Sequence, residues 1–278
     1  MNAEVAYRAC EEITRREAKN FGYGIRLLRV PERQALSAVY ALARRIDDIG
    51  DGTWAPDHKL LALDQVRRSL HPVAADTEDP VLVAVAAADR RYDLPLGAFD
   101  ELIDGCEMDV LGTSYATFDD LVAYCRLVAG SIGRLSLAVF GADEPRAVAR
   151  ADDLGVALQI TNILRDVLED RGNGRVYLPA ADAAAHRCPP DLSGPPEAVA
   201  RLVAFECERA QEWFERGLPL LPLLNRRSRA CVGVMAGIYH RLLVRIARDP
   251  VAVTRGRLSL PTAEKVWIAG RSLVGAQL

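Results

Sequence analysis

Apolar positions along this chain recur at intervals of three and four rather than two, the repeat of one buried face of an α-helix. The repeat predicts a helix over residues 3–19 and another entered at Pro31 and running through 32–51. Further helices are predicted over 57–70, 80–91, 96–110, 117–139, 145–171, 196–216, 227–248 and 261–273. No segment alternates apolar and polar residues between hairpin turns, so the fold class is all-α. Two stretches break the pattern: His71 to Pro80, and Pro179 to Pro196, which is rich in proline and small residues. The second reads as a surface loop, because the helix after it is amphipathic and too isolated to bury its apolar face alone. With no internal repeat or low-complexity tract, residues 1–278 are expected to form a single domain around one core.

Composition narrows the function classes. Half of the residues are apolar, enough for a sizeable core, and 35 basic against 38 acidic side chains leave a net charge of −3. That balance argues against nucleic-acid binding and against a polybasic membrane anchor. The N-terminus mixes charges of both signs where a signal peptide has an apolar run, and no stretch of roughly eighteen uncharged apolar residues suggests a spanning helix. The six cysteines show no CxxC spacing and the four histidines no paired spacing, which argues against zinc or a disulfide framework. Reduced, scattered thiols of a cytoplasmic protein are the expectation. Oligomeric state is not legible.

Chemistry is concentrated in a few helical segments. In the run from Tyr40 to Asp51, Asp47 and Asp51 are four residues apart and so displaced by only about 40° around a helix. Arg44 lies one turn before Asp47, and Tyr40 one turn before Arg44. Two carboxylates on one face suit a hard cation with oxygen ligands, magnesium best of all. An equally simple reading is a solvated acidic helix end with Arg44 paired to Asp48. In the run from Gln159 to Asp170, Asn162, Asp166 and Asp170 again recur every fourth residue, now between apolar Ile160, Ile163, Leu164, Val167 and Leu168. A polar stripe with apolar flanks fits a helix lining a cavity, where a cation or base compensates buried carboxylates. The alternative is an exposed network with Arg165 and Arg171.

Two acidic faces on separate helices suggest a clamp that holds a diphosphate through shared magnesium ions. Arg44, Arg165 and Arg175, the last followed by Tyr177, would supply the extra positive charge, although ordinary surface ion pairs compete for each. A third segment, Tyr124-Cys-Arg-Leu-Val-Ala-Gly130-Ser-Ile-Gly133, places two glycines inside a helix. Either close helix packing or a bend beside a bulky ligand would explain them.

These segments, with Asn20-Phe21-Gly-Tyr23-Gly-Ile25-Arg-Leu-Leu near the start, resemble the squalene/phytoene synthases in order and spacing over roughly residues 5–272. The entry segment and first acidic motif look most like bacterial presqualene diphosphate synthases of hopanoid pathways. The resemblance implies an isoprenoid synthase fold, one helical domain around a central cavity. It implies that Asp47, Asp51, Asn162, Asp166 and Asp170 hold Mg2+, with Tyr124 joining these aspartates as a catalytic residue. Tyr40, Arg44, Gln159, Arg165, Arg175, Tyr239, Arg257 and Lys265 would contact diphosphate. Phe21, Ile25, Val128, Ala129 and Gly133, together with Tyr124, would line the prenyl chains.

The reaction implied is condensation of two farnesyl diphosphates to presqualene diphosphate, for which NADPH is not expected. Phytoene, dehydrosqualene or NADPH-dependent squalene synthesis is the alternative, and a catalytically silent scaffold the reading outside enzymology. The implied partners are the farnesyl diphosphate substrate and, transiently, a membrane surface. Arg29 departs from the proline common in the family, and Gly50 should loosen the end of the first acidic helix without changing the Asp47–Asp51 spacing.

Overall fold

The computed structural model describes residues 1–73, 77–142 and 144–273. Its helices are α1 (Ala3–Glu17), α2 (Phe21–Ile25), α3 (Val30–Asp51), α4 (Pro56–Ser69), α5 (Pro80–Tyr92), α6 (Gly97–Val110) and α7 (Phe118–Cys125). A π-helical turn, Arg126–Gly130, joins α7 to α8 (Ser131–Phe140), and α9 (Pro145–Gly172), α10 (Ala180–Ala185), α11 (Pro196–Gly217), α12 (Arg226–Arg248) and α13 (Thr262–Leu273) follow. No strand occurs among the described residues, only an isolated bridge between Leu70 and Val73. Part of the expected irregular stretch from His71 to Pro80 (74–76) lies outside the described residues.

Local chemistry sets the helix starts. The Asp79 carboxylate caps α5 by accepting from Val81 N at 2.9 Å, ahead of Pro80 in the first turn. Thr117 and Asp120 form a reciprocal capping box at α7. Gly141, at φ +65°, ends α8 in the left-handed region where a β-carbon would be strained.

The buried apolar residues form one contiguous cluster. Its axis is α9, buried on nearly all sides from Ala147 to Val167. Small residues let neighbours come close to it. A β-carbon on Gly155 would lie 2.9 Å from Gly130 N, and one on Gly217 of α11 would lie 2.5 Å from Leu154 N. The two glycines of the third segment are therefore explained by packing, since β-carbons on Gly130 and Gly133 would meet Asp152 Oδ1 at 2.7 Å and Ala151 O at 3.3 Å. The helix also bulges there, into the π-turn.

Two expectations are corrected. The segment from Pro179 to Pro196 is not a plain surface loop: it contains α10 and buries Ala183, Cys188 and Leu192. It is tied down because Ala180 N and Ala181 N donate to the carbonyls of Tyr115 and Ala116, at 2.9 and 3.1 Å. Gly50 does not loosen α3, which stays helical to Asp51. Gly50 is buried, and its carbonyl, otherwise orphaned at the helix end, accepts from Lys59 Nζ at 2.8 Å and from Arg175 at 3.1 Å. By length and composition alone Phe118–Phe140 and Arg226–Arg248 would suffice to cross a membrane, but both are packed into the bundle. All six cysteines are free and buried.

Candidate active site

The last two turns of α3 carry the first acidic face. Asp47 sits against α6, where Cys106 Sγ donates to its Oδ1 at 3.8 Å. Burial, and after it the negative charge of Asp51, push the Asp47 carboxyl up to about 7. Asp51 is more exposed and accepts from Arg175 at 2.6 Å. Asp48 points away and pairs with Arg44 at 2.5 Å, so the simple ion pair expected from spacing exists beside the acidic face rather than instead of it. The buried Arg44 Nε has no hydrogen-bond partner. An open cleft of about 520 Å³ lies against Arg44, Arg45 and Asp48, bounded also by Ile13, Ile49 and Trp54. Tyr40, whose phenol burial raises to about 12, meets the Phe21 ring at 6.1 Å, and Phe21 in turn meets Tyr239 at 6.5 Å.

The second face lies on α9. Asn162 Nδ2 donates to Gln159 Oε1 at 3.4 Å, while its Oδ1 is buried without a partner. Asp166 accepts from Arg165 Nε at 2.8 Å and pairs with Arg257 at 2.9 Å. Arg257 also reaches Glu169, at 3.1 Å. Arg165 is not the exposed partner of an i,i+4 network: it is buried, with its guanidinium 5.8 Å from the Tyr239 ring centroid. Lys265 is half-buried nearby, and burial and the Arg165 charge lower its pKa. Burial and the Asp166 charge push Asp170 up to about 7.

Arg175, just beyond α9, reaches back to the first face, donating to Asp51 and the Gly50 carbonyl, and its positive charge acts on Asp170 of the second. The three charges of Asp51, Asp170 and Asp109 all act on one another or on Arg175. Asp109, on α6, was missed in the sequence because no acidic residue repeats with it at helical spacing. It accepts from the Tyr124 and Tyr177 hydroxyls, each at 2.9 Å, and burial raises its pKa. Tyr115 completes the aromatic cluster, 5.4 Å from Tyr124 and 6.1 Å from Tyr177 between centroids.

Of the residues expected to line prenyl chains, Ile25 is buried, Val128 and Ala129 lie in the π-turn, and Gly133 abuts Ala151 of α9. Gly105 makes room for Val128, whose Cγ1 would be 2.4 Å from a β-carbon there. Among the described residues no three histidine, cysteine or carboxylate side chains converge closely enough to enclose a metal by themselves.

An all-helical bundle with acidic faces on two helices and arginines between them is the isoprenoid synthase fold. The solved dehydrosqualene synthase in complex with ligand superposes with a TM-score of 0.89 at 26% identity, covering 98% of this chain and 97% of that one. The squalene synthase HpnC from Alicyclobacillus acidocaldarius does so at 0.82 and 28%, covering 88% and 94%. The model of the squalene/phytoene synthase family matches residues 14–264, and the chain belongs to that family. A phytoene synthase of Mycobacterium tuberculosis is 47% identical over 98% of this chain and 92% of its own length. A presqualene diphosphate synthase of Sinorhizobium fredii is 33% identical over 91% and 95%.

Proposed function

We propose that this chain joins two allylic prenyl diphosphates head to head, giving a cyclopropylcarbinyl diphosphate of the presqualene type and releasing one diphosphate. The observation that carries the reading is a carboxylate face on each of α3 and α9 with arginines on both: Arg175, carried at the end of α9, on Asp51, and Arg165 and Arg257 on Asp166. The donor set fits magnesium. Asn162 Oδ1 is a buried oxygen without a hydrogen-bond donor, and Asp47 and Asp170 sit beside other carboxylates whose repulsion a cation would relieve. Asp47, Asp51, Asn162, Asp166 and Asp170 would hold it, with the remaining ligands coming from water and diphosphate oxygens, as magnesium prefers. Bound there, Mg2+ supplies charge neutralisation for the leaving diphosphate.

The protein's own groups account for the rest. Arg175 pairs with Asp51 and Arg257 with Asp166, two of these carboxylates, so both are at hand to turn to a diphosphate. Arg44, with its unpartnered Nε, and Arg165 and Lys265 add donors around Tyr40 and Tyr239. Asp109 holds the Tyr124 hydroxyl in place as a donor to itself. After the donor's C–O bond breaks, the acceptor's double bond attacks the allylic carbon and a proton is lost as the ring closes. Released diphosphate is the base, since His71 pairs with Asp100, His186 packs on Phe205, His240 packs on Phe214 and His58 is exposed on α4, none of them in contact with either acidic face. Apolar walls at Phe21, Ile25, Val128 and Ala129 exclude water that would quench the cation.

The stronger identity to phytoene synthases favours two twenty-carbon chains. The presqualene diphosphate synthase likeness, and the entry segment that first suggested it, support two farnesyl chains as a second reading. Incubating the pure protein and Mg2+ with farnesyl or geranylgeranyl diphosphate, with and without NADPH, and identifying products by mass spectrometry separates them. Consumption of neither substrate, or full activity in Asp47→Ala and Asp166→Ala, would overturn the proposal.

A further inference from the structure

α3 ends against the usual electrostatics of a helix. Asp47, Asp48 and Asp51 fall in its last two turns, where the helix dipole is negative, and its last turn holds no basic residue. Gly52 leaves the helix extended, at φ −61° and ψ 170°, without the left-handed turn whose N–H groups cap the final carbonyls. Three cations supply what this end lacks. Arg44 pairs with Asp48 at 2.5 Å, and Arg175 donates to Asp51 at 2.6 Å and to the Gly50 carbonyl at 3.1 Å. Lys59, on α4, donates to the same carbonyl at 2.8 Å.

Lys59 differs from the other two. Arg44 and Arg175 are paired with carboxylates and belong to the set at hand for a diphosphate. Among the described residues the Gly50 carbonyl is the one hydrogen-bond or ion-pair partner of Lys59. Its helix is also fixed without any ligand: α4 buries Leu63 and clamps onto α6 through Arg67, which reaches Asp104 at 2.7 Å and Glu107 at 3.2 Å. α6 in turn carries Cys106, the donor to Asp47. On the magnesium–diphosphate reading, we infer that Lys59 is a positioning residue of the first acidic face. It is a standing cap that holds the Gly50 carbonyl, and with it the register of Asp47 and Asp51, when Arg175 turns to the diphosphate. Without Lys59 that carbonyl keeps Arg175 as its remaining side-chain donor, so ligand binding must either leave a buried residue's carbonyl unpaired or forgo the arginine.

Thermal melting of the full chain in rising Mg2+, at a fixed concentration of inorganic diphosphate, tests this without turnover. The parent should be stabilised, and Lys59→Met should need roughly tenfold more Mg2+ to reach half of the rise in melting temperature. Lys59→Arg, which restores a cationic donor, should return that concentration toward the parent's. Lys59→Gln should fall between them, and it serves in place of Lys59→Met if circular dichroism shows the latter unfolded. Leu202→Ala, which opens a cavity in the core at α11, should lower the melting temperature without moving that concentration. A parent that responds, beside a folded Lys59→Met or Lys59→Gln chain that responds at the same Mg2+ concentration, overturns the role of Lys59 alone. So does the same shift in Leu202→Ala, because lost stability would then account for it. A parent that does not respond overturns the magnesium–diphosphate reading, and the cap's role falls with it.

Discussion

Glu206 on α11 is wholly buried, and neither of its carboxylate oxygens has a hydrogen-bond partner. Arg209 comes within 3.6 Å but is committed elsewhere, donating to Asp182 and stacked 4.2 and 4.3 Å from the Phe118 and Phe205 ring centroids. Burial dominates, and the carboxyl is pushed from 4.5 up to about 7. Below pH 4.5 folded and unfolded chains both hold the proton, and nothing is lost. Between 4.5 and 7 the folded chain keeps a proton that the unfolded chain has shed, so stability falls as pH rises, and above 7 the loss is complete. At about 1.4 kcal/mol per pH unit the loss is about 3 kcal/mol. Glu206→Gln removes the ionisation while keeping the shape. The variant should melt roughly 5–10 °C above the parent at pH 8, with the two curves converging toward pH 5. Scanning calorimetry across that range, checked by urea midpoints, measures the difference. Parallel curves, or a less stable variant at pH 8, would show that the Arg209 attraction outweighs desolvation and would refute the reasoning.

Asp47→Ala and Asp166→Ala should each lower product formation on the order of 100-fold or more while circular dichroism is unchanged, and chelation by EDTA should abolish turnover until Mg2+ is restored. Gly155→Ala forces a β-carbon to within 2.9 Å of Gly130 N and should cost about 1–3 kcal/mol, read as a lowered urea midpoint. Gly97→Ala, whose β-carbon would meet nothing within 4 Å, should be neutral or slightly stabilising. Asp109→Ala leaves the Tyr124 and Tyr177 hydroxyls without their acceptor and should destabilise the chain by about 2–4 kcal/mol, whereas Tyr177→Phe should cost less, by the same thermal assay.

Helix positions were written in the chain because their causes are local: a three-to-four repeat of apolar residues, prolines in first turns, and capping residues such as Asp79, Thr117 and Asn225. The two acidic stripes were legible for the same reason, since i,i+4 spacing on a helix is itself a statement about shared faces. Short pieces such as α2 and α10 were not, because five or six residues hold too little periodicity and their helices are fixed by what they pack on. Gly24 shows this: a β-carbon there would lie 2.6 Å from the Cys231 carbonyl, a contact more than two hundred residues along the chain.

The sequence alone therefore determined the all-helical class, the two carboxylate faces and the family likeness, all properties of neighbours within a few helical turns. Only the tertiary structure decided which charges meet. It turned Asp48 outward to Arg44, carried Arg175 across to Asp51 and brought Asp109 to two tyrosines. Burial and charge coupling depend on distances through space, and no local pattern encodes those distances.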